Sequence, residues 1–139
     1  MNNETLHHLL VGAFEGGINY WANSWSINKS HNSYEIPNHI KNKYKDFVFF
    51  NHDGSANPSY AYLPLITDDK FGMEFIDRNG DMGQEGKRFF LNKKAIKKGY
   101  QVLKEKYPAY AEDIKEENWD ANTSDALIQC SLFGELVYG

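Results

Sequence analysis

Three adjoining pieces of sequence decide the fold: Gly72-Met-Glu-Phe-Ile-Asp77, then Lys87-Arg-Phe-Phe-Leu91, then Asn92-Lys-Lys-Ala-Ile-Lys-Lys-Gly99. The first two read as the strands of a hairpin joined across Asn79-Gly80-Asp81, residues that tight turns favour. Asn92 is suited to cap a helix, which is expected to run to about Lys106. Pro108 forces a break or a restart, giving a short helix over roughly Pro108 to Glu117. The last helix is expected to start near Asn122 or Thr123 and to run into Leu136. Upstream, Leu6, Leu9, Leu10, Ala13, Phe14, Ile18, Trp21 and Trp25 recur at spacings of three and four. That periodicity predicts a helix from Thr5 to Trp25 with one wide apolar stripe. Asn28 to Lys45 is polar and contains Pro37, and reads as a loop with at most one helical turn. Phe47 to Phe50 and Ser59 to Ile66 read as extended segments separated by Asp53-Gly54 and Asn57-Pro58. The order is N-terminal helix, small antiparallel sheet, then two or three C-terminal helices, an α+β arrangement in a single domain, 1–139.

Composition bounds the function. The 139 residues are 41% hydrophobic and 24% charged, which excludes disordered, collagen-like and membrane classes. One cysteine, Cys130, excludes an internal disulfide and any multi-cysteine zinc site. The first residues lack a basic run, and Glu15 with Gly16 and Gly17 interrupts the first apolar stretch. No signal peptide or membrane span is therefore expected, and the cytoplasm is the expected location. Charge is segregated beneath the net value of −4. Lys87 to Lys106 is basic, with only Glu105 opposing it, and Glu112 to Glu135 is acidic, with only Lys115 opposing it. That polarity suits self-association, most simply a twofold dimer, or an anionic ligand; a solvated surface gives the same pattern.

Several stretches can carry chemistry. Gly12 and Gly16 are four apart, so on a helix they share a face that lets another backbone or a flat ligand approach closely. Glu15 and Asn19, also four apart, lie beside that face among Phe14, Tyr20 and Trp21. On the last helix Asp125 and Gln129 repeat the spacing within an apolar run, so both need polar partners. Glu15, Asn19, Asp125 and Gln129 can form one buried network between the first and last helices, either fixing the packing or holding a ligand. At the start of the Asn92 helix, free backbone N–H groups with Arg88, Lys93 and Lys94 can receive a phosphate, while Trp21 or Trp25 offers a base a stacking surface. The alternative is a lysine-rich solvated face. Asp77-Arg78-Asn79-Gly80-Asp81 begins like a calcium loop, but Met82 and Arg88 stand where such a loop needs glycine and a bidentate glutamate. Cys130 has no histidine nearby in sequence and reads as a buried thiol. No metal site and no cofactor is expected.

Gly12-Ala-Phe-Glu-Gly-Gly-Ile-Asn-Tyr-Trp21 and Asp125-Ala-Leu-Ile-Gln-Cys-Ser-Leu-Phe-Gly-Glu-Leu-Val-Tyr-Gly139 together resemble a family of small proteins encoded by tailed phages and prophages. Leu91 to Gly99 looks like that family's join between hairpin and helix. The resemblance covers the two ends well and the middle poorly. It implies an accessory role in an infected bacterium and brings no chemistry with it. The expectation is a non-catalytic counter-defence protein that sequesters a nucleotide-derived immune signal, with Arg88, Lys93, Lys94, Trp21 and Trp25 as contacts. The rivals are a protein-surface inhibitor of a host defence complex, or a small enzyme using Glu15 or Asp125 as general base.

Overall fold

Gly72 stands opposite Asn92 and Ile76 opposite Arg88, so the two expected strands are antiparallel neighbours. The computed structural model describes residues 1–29, 64–67, 69, 71–78, 80 and 87–139. The described chain runs through α1 (Asn3–Gly12), a π-helical turn (Ala13–Gly17), α2 (Asn19–Ala22), β1 (Trp25–Lys29) and α3 (Pro64–Thr67). It continues through β2 (Gly72–Asp77), β3 (Arg88–Asn92), α4 (Lys93–Lys106), α5 (Pro108–Lys115) and α6 (Ala121–Phe133). An N-terminal helix, a three-stranded antiparallel sheet and C-terminal helices make the fold α+β, as the sequence predicts.

The sheet has the order β1-β2-β3. Met73, Phe75 and Asp77 of β2 are buried while Glu74 and Ile76 between them are half-buried. Leu91 and Phe89 stand opposite Met73 and Phe75, so the inner face is continuous across β2 and β3. α6 crosses this layer and is buried at every position from 123 to 130. It packs on α1, the π turn, α4 and β3. Gly99 sets the approach of α4: a Cβ there would sit 2.6 Å from the Ser131 backbone nitrogen. An aromatic cluster then joins sheet to helix, with Phe133 meeting Phe89 edge-on at 4.9 Å and Trp25 at 5.6 Å.

The helix termini follow local chemistry. The Asn92 side chain accepts from Ala95 N at 2.8 Å, as expected, and Pro108 opens α5. α6 starts at Ala121, one residue before the expected Asn122, with Asp120 as its cap; Thr123 N donates to Asp120 Oδ1, and Thr123 Oγ1 accepts from the Asp120 backbone N–H. α6 ends at Phe133 instead of running into Leu136, because Gly134 takes a left-handed conformation with φ 74° that stops the helix.

Four other expectations need correction. The helix expected from Thr5 to Trp25 is broken twice. Gly16 leaves helical geometry inside the π turn, and Trp25 begins a strand paired with Asp77. The stretch read as a loop from Asn28 therefore starts inside β1. Within the segment read as extended up to Ile66, Pro64–Thr67 is helical, as a proline at the first position of a helical turn permits; residues 47–50 and 59–63 lie outside the described residues. The second hairpin strand is Arg88–Asn92, one residue later than expected, since Asn92 serves as both last ladder residue and helix cap. Gly80 has φ 71°, as a turn requires, while its neighbours 79 and 81 lie outside the described residues.

Candidate functional site

A carboxylate can only accept, so burying Asp125 on α6 requires donors around it. Asp125 Oδ2 accepts from the Tyr20 hydroxyl at 2.6 Å, and Oδ1 accepts from the Trp21 indole N–H at 2.8 Å. Gln129, one turn further on, donates from Nε2 to both oxygens at 3.0 Å. Its Oε1 accepts from the backbone N–H groups of Val137 and Tyr138, both at 2.8 Å. The Tyr138 ring lies flat on Trp21, with centroids 5.1 Å apart and planes within 2°. The network thus ties α2, α6 and the segment 136–139 into one unit. Tyr20 is 59% exposed as a residue, and its hydroxyl is partly withdrawn from water where it meets Asp125. That withdrawal, with the hydrogen bond to Asp125 second, pushes its pKa up to about 12.

Two of the four residues expected in this network are in it, Asp125 and Gln129. Glu15 and Asn19 are exposed instead. The π turn spaces Gly12 and Gly17 five apart on the face towards α6: a Cβ on Gly12 would reach Ser124 Oγ at 2.7 Å, and one on Gly17 the Ala121 carbonyl at 2.9 Å. Gly16, expected to share that face with Gly12, has nothing within 4 Å of where its Cβ would stand. The same insertion of backbone turns Tyr20 and Trp21, rather than Asn19, towards Asp125. The need of a carboxylate for donors points to the Tyr20 phenol and the Trp21 indole as much as to the Asn19 amide, and away from Glu15.

The second expected site does not come together. Trp21 and Trp25 are each 3% exposed, held in the aromatic cluster, and offer no stacking surface. Arg88 is paired with Glu74 at 3.1 Å and Lys93 with Asp69 at 3.5 Å, while Lys94 is exposed on the first turn of α4. At about 3.3 Å per strand residue, Arg88 lies about 13 Å from Asn92, so it does not converge with Lys93 and Lys94. Lys93 instead belongs to a different feature, a groove of about 340 Å³ between α1 and α4. Lys97 and Lys104 line it on the same face of α4, Tyr100 lies between them, and Leu6 and Ile96 supply apolar surface. Lys104 Nζ stands 4.8 Å from the centre of the Tyr100 ring.

Among the described residues, no group of three His, Cys, Asp or Glu side chains gathers as a metal centre needs. No helix among them is long and apolar enough to cross a membrane. Comparison with protein-family models, with curated proteins and with solved structures finds no match.

Proposed function

We propose that this protein is a non-catalytic counter-defence protein of the tailed-phage kind, which sequesters a phosphate-bearing, nucleotide-type molecule of the host cytoplasm in the groove between α1 and α4. The observation that carries this reading is the row Lys93, Lys97 and Lys104 beside apolar surface and the Tyr100 ring. Lys97 and Lys104, with Lys93 shared with Asp69, suit a phosphate chain, Tyr100 with Lys104 over its ring adds aromatic surface, and about 340 Å³ is space for a small anionic ligand. The engagement of both Asp125 oxygens by Tyr20, Trp21 and Gln129 supports a structural task for that carboxylate over a general-base one.

The test is calorimetric titration with a panel of cyclic and ADP-ribose-type nucleotides. Binding is expected to weaken with salt, since exposed charges are screened over about 8 Å at physiological ionic strength. Lys97→Glu with Lys104→Glu, both exposed, should abolish it and leave the fold intact. Should the wild type bind none of the panel, the small-molecule reading falls. The protein-surface inhibitor then takes its place; Phe90, 59% exposed on the same face of β3 as the exposed Arg88, favours that reading. The polarised charge also motivates a twofold dimer; native mass spectrometry giving only a 16.0 kDa species at micromolar concentration would remove it.

A further inference from the structure

A cleft of about 450 Å³ opens at the outer side of the Asp125 network, apart from the lysine groove. Its walls are Tyr20 of α2, Tyr110 of α5, Asn122, Asp125, Ala126 and Gln129 of α6, and the segment 136–139. Among the described residues none that lines it is basic, and Asp125 is its one carboxylate side chain. The Tyr20 hydroxyl gives its single proton to Asp125 and accepts from Gln129 Nε2 at 3.4 Å, so what its oxygen has left to offer is a lone pair. The rise of its pKa to about 12 keeps that proton in place at neutral pH. The cleft therefore presents a carboxylate charge, two phenol rings and the side-chain amides of Asn122 and Gln129. Its surroundings reinforce the sign, because Glu112 to Glu135 carries seven acidic residues against Lys115.

We propose that this cleft binds a small organic cation, a guanidinium or alkylammonium compound, with its charge towards Asp125 and the Tyr20 oxygen and its alkyl part against the Tyr20 and Tyr110 rings. A cation is attracted both to the carboxylate and to the negative face of a ring. The one charge on the wall is that of the carboxylate, which a cation matches and a neutral donor does not. Leu136 and Val137 add apolar surface for a short chain. The site stands whether or not the α4 groove takes an anion, because the two share no residue.

The Trp21 indole N–H touches Asp125 directly and reports on the cleft. Titrating nitrogen-15-labelled protein with butylguanidinium should move the Trp21 Nε1–H resonance saturably. Butylurea, nearly the same in shape but uncharged, should bind about tenfold more weakly or worse. Asn122 is exposed in the first turn of α6, so changing it spares the core. Asn122→Lys should weaken butylguanidinium binding by about tenfold, and Asn122→Asp should tighten it a few-fold. The rest of each spectrum verifies that the variant is folded. No saturable shift in tens of millimolar ligand, equal binding of butylurea, or indifference to both substitutions would overturn the proposal.

Discussion

The side-chain amide of Gln129 grips the backbone of Tyr138 from both sides: Oε1 accepts from Tyr138 N at 2.8 Å, and Nε2 donates to Tyr138 O at 3.1 Å. This is the hydrogen-bond pair one strand makes with another, supplied by one side chain on a helix. It explains how residues 136–139 hold their place without secondary structure of their own. The neighbouring bond from Leu136 N to the Tyr107 hydroxyl, 3.0 Å, fixes the start of the same segment.

Gln129→Ala should release that segment. It leaves the Val137 and Tyr138 amides and the Asp125 carboxylate short of partners, and each unsatisfied buried group costs about 1–3 kcal/mol. Hydrogen exchange is the measurement: the two amides should lose most of their protection while amides in α4 keep theirs. Retained protection would show that the Tyr138–Trp21 stack holds the segment unaided.

Asp125→Asn tests the centre of the network. An asparagine keeps the shape but can place its NH2 against the Tyr20 or Trp21 donor, with a loss of about 1–3 kcal/mol. Tyr20 should then ionise below the 12 or so it has beside Asp125, while the burial that raises it most remains. The pH dependence has a definite sign. Folding raises the Tyr20 pKa, so its contribution to stability is complete below about pH 10 and is lost as pH climbs towards 12. Tyrosine absorbance titrations of wild type, Asp125→Asn and Tyr20→Phe, with unfolding followed over that window, separate these effects.

The glycines give an ordered series. Gly17→Ala meets the backbone carbonyls of Ala121 and Gly12 at 2.9 and 3.0 Å, and Gly99→Ala meets the Ser131 backbone at 2.6 Å. Neither neighbour can rotate away, so each change should cost about 1–3 kcal/mol by overpacking. Gly16→Ala meets nothing within 4 Å and should cost less than either. Thermal melts of the three variants give the order.

Cys130 should be inert in the native state. It is 2% exposed, and burial pushes its pKa up to about 11; Lys106 pulls the value down and Asp125 adds to the rise. A thiol reagent at pH 8 should label it only at the rate of unfolding, and denaturant should make labelling fast. Prompt labelling of the folded protein would contradict this burial.

The parts of the fold that were legible in the sequence are those fixed by chemistry within a few residues. Asn92 must cap because its side chain reaches Ala95 N, and the Gly72–Asp77 strand carries its own buried alternation. The need of Asp125 and Gln129 for partners was legible for the same reason. Trp25 was misread because it enters the same aromatic cluster as Trp21, and so continues the apolar rhythm although it lies on a strand. The π turn was hidden as well. Its adjacent glycines mark a departure from the helix, but not which way the residues after it will point. That direction decided whether Asn19 or Tyr20 reached Asp125, and whether Gly16 or Gly17 faced α6.

Asn92 has a consequence for how a partner is met. It is the last residue of the ladder, opposite Gly72, and also the cap of α4, so no linker separates the sheet from the lysine-bearing helix. The bearing of α4 is inherited directly from the strand before it. Lys93 Nζ meets Asp69 and Lys104 Nζ lies over Tyr100, and the axis that spaces them with Lys97 is set by the strand before it. Should the proposed anion bind here, the freedom lost would be that of side chains rather than of a helix.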